Sequence, residues 1–196
     1  MANIAAIRSV GASLGSYLDR AYGAAVFPAN VTKPTCNFRA VSSGGLEDED
    51  DPANGSAKVL IFLYHVSVDS HLRNSGRQAA PGMTPPLSIA LHYLVTFWAN
   101  SPDDEHLVLA WTMRQLQATS LLDTTILSSE AQWSPEDMVQ LIPEELSTEN
   151  MMRIWDTLKP DYRLSLGYVA RVVRIDRATR EQLIQTEPKP QLASNP

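Results

Sequence analysis

The sequence predicts an α+β fold, one mixed β-sheet flanked by helices, and three observations carry that prediction. Two dense apolar runs, Val59 to Val68 and Leu87 to Ala99, have the composition and length of strands. Two stretches carry complete helix-start signals, Ser101-Pro-Asp-Asp-Glu and Ser147 with Leu146 before it and Met151 at the fourth helical position. The elements run helix, strands, helix, helix, strand with no internal repeat, which places helices on a single sheet. A chain of 196 residues, 44% of them apolar, is one ordinary domain. It can bury roughly 70% of its unfolded surface without a metal or disulfide.

Taken in order, Ile4, Ile7, Val10, Gly11, Leu14, Tyr17, Leu18 and Ala21 recur at helical spacing behind Asn3, a competent N-cap. An amphipathic helix is expected there. Short extended pieces are expected near Val31 and over Phe38 to Val41. Residues 42–57 read as an acidic mobile loop, because the consecutive acids Glu47 to Asp51 repel one another and resist joining a core. Val59 to Val68 is apolar on both alternating faces and reads as a strand covered on both sides. The stretch from Asp69 to Pro86, with Pro81, Gly82, Pro85 and Pro86, reads as a long loop.

In the next run Leu87, Ile89, Leu91, Tyr93, Val95 and Phe97 share one face at period two. A helix would instead align Ser88, His92 and Thr96, but the aromatic and β-branched second half favours a strand. Ser101, followed by Pro102 and three acids, starts a helix that ends near Thr119. Ser147 starts another, ended by Lys159-Pro160. Between them Ser134-Pro-Glu-Asp fits a helical turn and Met138 to Ile142 a short strand, and no signal decides. Leu164 to Ile175 alternates as a long strand with Arg171, Arg174 and Arg177 near its end. Residues 1–180 are thus one domain, and 181–196, with Pro188 and Pro190, an extended tail.

Composition excludes several function classes. The net charge of −6 and pI of about 5.2 provide no basic footprint for nucleic acid. The single cysteine, Cys36, excludes an internal disulfide and a thiolate metal cluster, and points to a reduced compartment such as the cytoplasm. Both apolar runs are too short to cross a bilayer. Arg8 interrupts the stretch that a secretory leader would need, so the start reads as mature protein.

No catalytic constellation emerges. His65, Ser67 and Asp69 share one face of a strand, but neighbours at that spacing stand ~6.5–7 Å apart, too far for a proton relay. His71 falls in a polar loop and His106 in a first helical turn among acids; with His92, they form no metal-ligand spacing. Asp48, Asp50 and Asn54 offer hard oxygens without the closing Glu of a calcium loop. Gly44-Gly45 is followed by acids that would repel a phosphate. Cys36 has only Lys33 and Arg39 nearby and reads as an inert thiol. No catalytic residue, metal or cofactor is expected, which leaves binding or assembly. Arg171, Arg174 and Arg177 gather cations in an acidic chain, matching either plain solvent contacts or an acidic partner.

Five blocks in order resemble a known family: Val59-Leu-Ile-Phe-Leu-Tyr-His-Val with Leu72-Arg-Asn; Pro86-Leu-Ser-Ile-Ala-Leu-His-Tyr-Leu-Val-Thr-Phe; Glu105-His-Leu-Val-Leu; Leu146-Ser with Ile154-Trp-Asp-Thr-Leu; and Tyr162-Arg-Leu-Ser-Leu-Gly-Tyr-Val-Ala-Arg-Val-Val-Arg-Ile-Asp. From residue 4 to about 176 the chain resembles the tail-terminator, or cap, proteins of contractile injection systems, the phage-tail-like particles. The resemblance implies a phage tail-terminator-like single domain. It further implies a homo-hexameric ring that meets sheath subunits and inner-tube proteins at the baseplate-distal end and stops their polymerisation. Such a protein would sit in the bacterial cytoplasm during assembly and then in the particle, with no catalytic residues. A soluble adaptor or assembly chaperone that binds one partner as a monomer is the alternative from another class. Exposed strand edges could accept an extended arm of a sheath subunit. The last strand is the first candidate edge, with Leu164, Leu166, Tyr168 and the three arginines as interface residues.

Overall fold

The computed structural model describes residues 2–68 and 87–175. The loop expected from Asp69 to Pro86, Arg177 and the tail 181–196 lie outside the described residues. The elements are α1 (Ala6–Ala24), β1 (Thr35–Val41), α2 (Ser43–Glu47), β2 (Ser56–Val68), β3 (Leu87–Ala99), α3 (Pro102–Ala118), β4 (Leu121–Leu122), β5 (Val139–Glu144), α4 (Thr148–Asp156) and β6 (Ser165–Ile175), with a 3-10 turn at Ser129–Ala131. The strands form one mixed sheet in the order β1-β2-β3-β6-β5-β4. Among the strands of the described residues, β1 and β2 run parallel and the other pairs are antiparallel.

The helix starts work as their sequences dictate. The Ser101 hydroxyl accepts from the Asp104 N–H at 3.1 Å and the Ser147 hydroxyl from the Asn150 N–H at 3.2 Å, each satisfying a donor the first turn leaves orphaned. Asn3 accepts the Ala5 N–H through Oδ1 at 2.8 Å, but the first full helical residue is Ala6. The other end of α1 is closed by Lys33, whose ammonium donates to the carbonyls of Tyr22, Gly23 and Ala25 at 2.6, 3.2 and 3.0 Å. A cation there also complements the negative end of the helix dipole. No strand forms at Val31, whose N–H closes a turn onto Pro28. The short strand weighed over Met138 to Ile142 exists as β5, while Ser134-Pro-Glu-Asp makes a turn closed by Asp137 N–H to Ser134 O at 2.9 Å.

The two faces of the sheet bury different cores. On the first, Val59, Ile61, Leu91, Tyr93, Val95, Phe97, Tyr168 and Ala170 pack with Val10, Leu14 and Leu18 of α1 and Val108 and Leu116 of α3. The period-two face seen in β3 is this face. Ser9 and Ser13 of α1 are buried here as well, and both are satisfied. Ser13 Oγ accepts from the Ser128 N–H at 2.7 Å, and Trp133 Nε1 donates to Ser9 Oγ at 3.0 Å. The second face holds a smaller cluster, Leu60, Leu94 and Trp98, covered by Leu46 of α2 and Trp155 of α4. Leu146 and Met151, the staple pair, flank it.

The acidic segment departs from expectation. A short helix forms at Ser43–Glu47, capped by Ser42 Oγ accepting from the Gly45 N–H, and Leu46 is wholly buried. The repulsion among the acids is offset by cations from four other places. Glu47 pairs with Lys159 at 2.5 Å, Glu49 with Lys58 at 2.6 Å and with Arg39, and Asp51 with Arg163 at 2.6 Å. The Glu49 side chain is only 8% exposed. A run of like charges therefore joins the structure where three of its five acids, Glu47, Glu49 and Asp51, find counter-ions from distant positions, information that local sequence does not hold.

Candidate assembly surface

β6 is an interior strand, paired with β3 on one side and β5 on the other. The expectation that Leu164 to Ile175 offers a free sheet edge is therefore corrected: a strand long enough and apolar enough to look like a good docking strand is used by the fold itself. Beyond the end of β5, even its last residues are occupied, since Ala2 bridges Ile175 and its N–H donates to Arg174 O at 3.1 Å.

The expected interface residues also divide between the two faces. The ladder places Leu166 and Tyr168 opposite Val95 and Tyr93, on the face of α1 and α3. They line a shallow groove with Ala110, Met113 and Arg114 of α3 and with Pro143. Leu164, half-buried just before β6, lends its carbonyl to the Phe97 N–H at 2.9 Å. Arg171 and Arg174 lie opposite Gln140 and Ser88, on the other face. A register shift between Ile89 and Leu91 inserts the extra residue that breaks the simple alternation of β6. Neither arginine makes an ion pair among the described residues.

The sheet edges are unequal. β1 is closed by α1: a Cβ on Gly15 would sit 3.2 Å from Arg39 Cα and 3.3 Å from Ala40 N, tighter than such contacts normally are, so the bare glycine eases the close approach of helix and strand. Asp19 Oδ1 of the same helix accepts the Phe38 N–H at 3.2 Å. At the far side, β4 covers only the start of β5, where Leu141 N–H donates to Ser120 O at 2.8 Å; two residues on stands Pro143, which has no N–H to offer. β2 is different. β1 stops pairing at Val41 opposite Phe62, while β2 pairs β3 up to Val68, so Leu63 to Val68 are paired on one side only among the described residues.

A polar cluster occupies the second face beside that end of β2. A shift in the β2–β3 register between Leu63 and His65 turns Tyr64 and His65 toward His92, with ring centroids 6.1 and 5.0 Å away. His92 Nδ1 lies 2.9 and 3.1 Å from the two oxygens of Glu144, its Nε2 lies 2.9 Å from Ser67 Oγ, and Tyr64 donates its hydroxyl to Glu144 Oε2 at 2.8 Å. A carboxylate only accepts, so Nδ1 carries a proton. Burial, and then the bond to Glu144, raise the Tyr64 phenol above its ordinary range. Hydroxyl, imidazole and carboxylate stand here in the order of a nucleophile, its base and its orienting acid. Tyr64 shares the Oε2 oxygen with His92, and the four side chains tie β2, β3 and β5 together across β6.

The expected partners of Ser67 were His65 and Asp69; the imidazole in contact is His92 of the next strand, and Asp69 lies outside the described residues. Local spacing could not find Glu144, which is 52 residues from His92 and 80 from Tyr64. Cys36 is half-buried, and burial, with Asp19 nearby, pushes its thiol up to about 12, so almost none is thiolate at neutral pH. Among the described residues no group of three or more His, Cys, Asp or Glu is placed to hold a metal ion. No described helix is long and apolar enough to cross a membrane.

A family model for the Pvc16 N-terminal domain matches residues 9–187. Among solved structures, the chain is similar to the PVC sheath/tube terminator of an extracellular contractile injection system, seen by cryo-EM in the extended state. That identity is 20% with a TM-score of 0.49, over 89% of this chain and 57% of that one. It is also similar to the tube-terminating cap of the anti-feeding prophage, at 18% identity and a TM-score of 0.47, over 92% of this chain and 58% of that one. The chain thus spans somewhat more than half the length of those two proteins. No curated protein matches it. With a match that runs from the first helix through the last strand, the chain belongs to the Pvc16 N-terminal domain family.

Proposed function

We propose that this protein is the terminator of a contractile injection particle: a homo-hexameric ring at the baseplate-distal end that ends growth of the inner tube and sheath. The observation that carries the reading is the family match over residues 9–187. The geometry supports it. A terminator must bind a growing polymer on one side and refuse further subunits on the other, and a closed ring of heterologous contacts meets both needs. A sheet whose β1 edge is closed by a helix and whose β5 edge carries a proline resists open-ended strand addition. The protein acts as a structural part: Ser67, His92, Glu144 and Tyr64 clamp strands, and Ser67→Ala is expected to leave particle assembly intact. Assembly takes place in the bacterial cytoplasm, with tube and sheath subunits as partners.

Negative-stain imaging of particles assembled with the tagged chain tests this. Label at one end of each particle, in six-fold projections, is the expected result. A chain that stays monomeric by light scattering and never decorates particle ends overturns the reading in favour of a monomeric adaptor or chaperone.

A further inference from the structure

The geometry points to a hydrolytic site on the polar half of the second face, where Ser67, His92 and Glu144 cleave a small carboxylic ester that carries a negative charge. The inference goes beyond the terminator reading and does not depend on it. Ser67 Oγ lies 2.9 Å from His92 Nε2, and His92 Nδ1 lies 2.9 and 3.1 Å from the oxygens of Glu144. These contacts are within the ~2.6–3.2 Å that a nucleophile, its base and its orienting acid need. Glu144 fixes the tautomer. A neutral imidazole protonated at Nδ1 keeps a lone pair at Nε2, so the Ser67 hydroxyl is the donor in its contact with His92. Tyr64 positions the acid by donating to Glu144 Oε2 at 2.8 Å. The three members stand on β2, β3 and β5, so sheet pairing rather than a loop holds them in place. His92 and Glu144 are 17% and 24% exposed and Ser67 is half-buried. That is enough cover to strengthen charge interactions and enough opening for a reactant.

Water is the only co-reactant the chemistry needs. Ser67 Oγ attacks the ester carbonyl and its proton passes to His92 Nε2, while Glu144 stabilises the imidazolium through Nδ1–H. The bond to the alcohol oxygen breaks, and that oxygen takes the proton from Nε2. Water then attacks the acyl group on Ser67 by the same route, giving its proton to His92 and releasing the carboxylic acid, and the Ser67 oxygen is reprotonated from Nε2. The neighbouring side chains select the charge of the substrate. Ala90 stands opposite Ser67 on β3, and Arg171 of β6 falls beyond Ala90, in the register shift between the pairs Ile89–Val173 and Leu91–Ala170. Two inter-strand steps put the Arg171 Cα about 10 Å from that of Ser67. Only the Ala90 methyl stands between them on this face. Arg171 is exposed, and neither it nor Arg174, opposite Ser88, makes an ion pair among the described residues. Two uncompensated guanidinium groups beside the nucleophile favour an anionic substrate.

Hydrolysis of the mono-p-nitrophenyl ester of succinic acid by the purified full chain tests this, with a fluorophosphonate to locate the nucleophile. The fluorophosphonate, which a serine oxygen captures with loss of fluoride, is expected to label Ser67. Ser67→Ala is expected to lose both the label and the release of p-nitrophenolate at an unchanged melting temperature. His92→Gln is expected to slow the release about 10²–10⁴-fold. Arg171→Gln is expected to raise KM for the succinate ester about tenfold with kcat nearly kept, the mark of lost substrate binding rather than lost chemistry. Release that is absent from the folded chain, or that Ser67→Ala leaves unchanged, overturns the inference, as does a fluorophosphonate label on other residues alone. Equal kcat/KM for the succinate ester and for uncharged p-nitrophenyl acetate overturns the choice of an anionic substrate. None of these outcomes touches the terminator reading, which is judged at particle ends.

Discussion

The two faces of the sheet are built on different terms. The face under α1 and α3 is one continuous apolar core, fed by every long strand; the buried hydroxyls of Ser9 and Ser13 are satisfied there, while that of Tyr93 has no partner among the described residues. The opposite face is split. Its lower half is a small core of Leu46, Leu60, Leu94, Trp98 and Trp155 under two short helices, and its upper half is a hydrogen-bonded cluster of Tyr64, Ser67, His92 and Glu144 with two arginines nearby. The first face sets the fold. The second shows how a protein closes part of a sheet with apolar burial and leaves the rest polar.

The sharpest way to break that comparison is to empty each core. Phe97→Ala and Trp98→Ala are adjacent in β3 and point to opposite faces. Both residues are buried, so each loss is expected to cost ~3–5 kcal/mol in denaturant unfolding. Trp98 also stacks under the Arg163 guanidinium, 4.6 Å from the ring centroid. A small cost at Trp98 beside a large one at Phe97 would mean that α2 and α4 cover the second face without forming a core.

Next in size is Gly167→Ala. A Cβ there would fall 2.7 Å from the Glu144 carbonyl and 3.2 Å from the Leu146 side chain, so β5 and β6 must part, at about 1–3 kcal/mol. Thermal unfolding reads this directly; a neutral result would show that the turn after β5 yields freely.

Much of the large face was legible in the sequence, because its causes are local. Period two in β3, the Ser-Pro-Asp-Asp-Glu start of α3 and the staple before α4 each act within a few residues. The rest depends on pairing across the chain. The place of β6 inside the sheet, the ion pairs of Glu47, Glu49 and Asp51, and the reach of Glu144 to His92 join positions tens of residues apart, and no spacing rule sees them. The one-sided pairing of β2 beyond Phe62 among the described residues is of the same kind, since it follows from β1 being shorter than the strand it pairs.

Smaller effects sharpen the polar half. Glu144→Gln exchanges a charged acceptor for a neutral one in a partly buried network and is expected to cost about 1 kcal/mol; a loss as large as that at Trp98 would make the cluster part of the core. Smallest of all, Tyr93→Phe removes a buried hydroxyl that bonds nothing among the described residues. Its effect on unfolding is expected within about 0.5 kcal/mol of zero, and a clear destabilisation would reveal a partner for the hydroxyl within the chain itself.

The central claim, that this protein stops a polymer by capping it, is met most directly by the length distribution of tubes and sheaths formed without it. Tubes of broad, uncontrolled length, or sheaths too unstable to collect, are the outcome the account predicts; particles of normal, uniform length would contradict it.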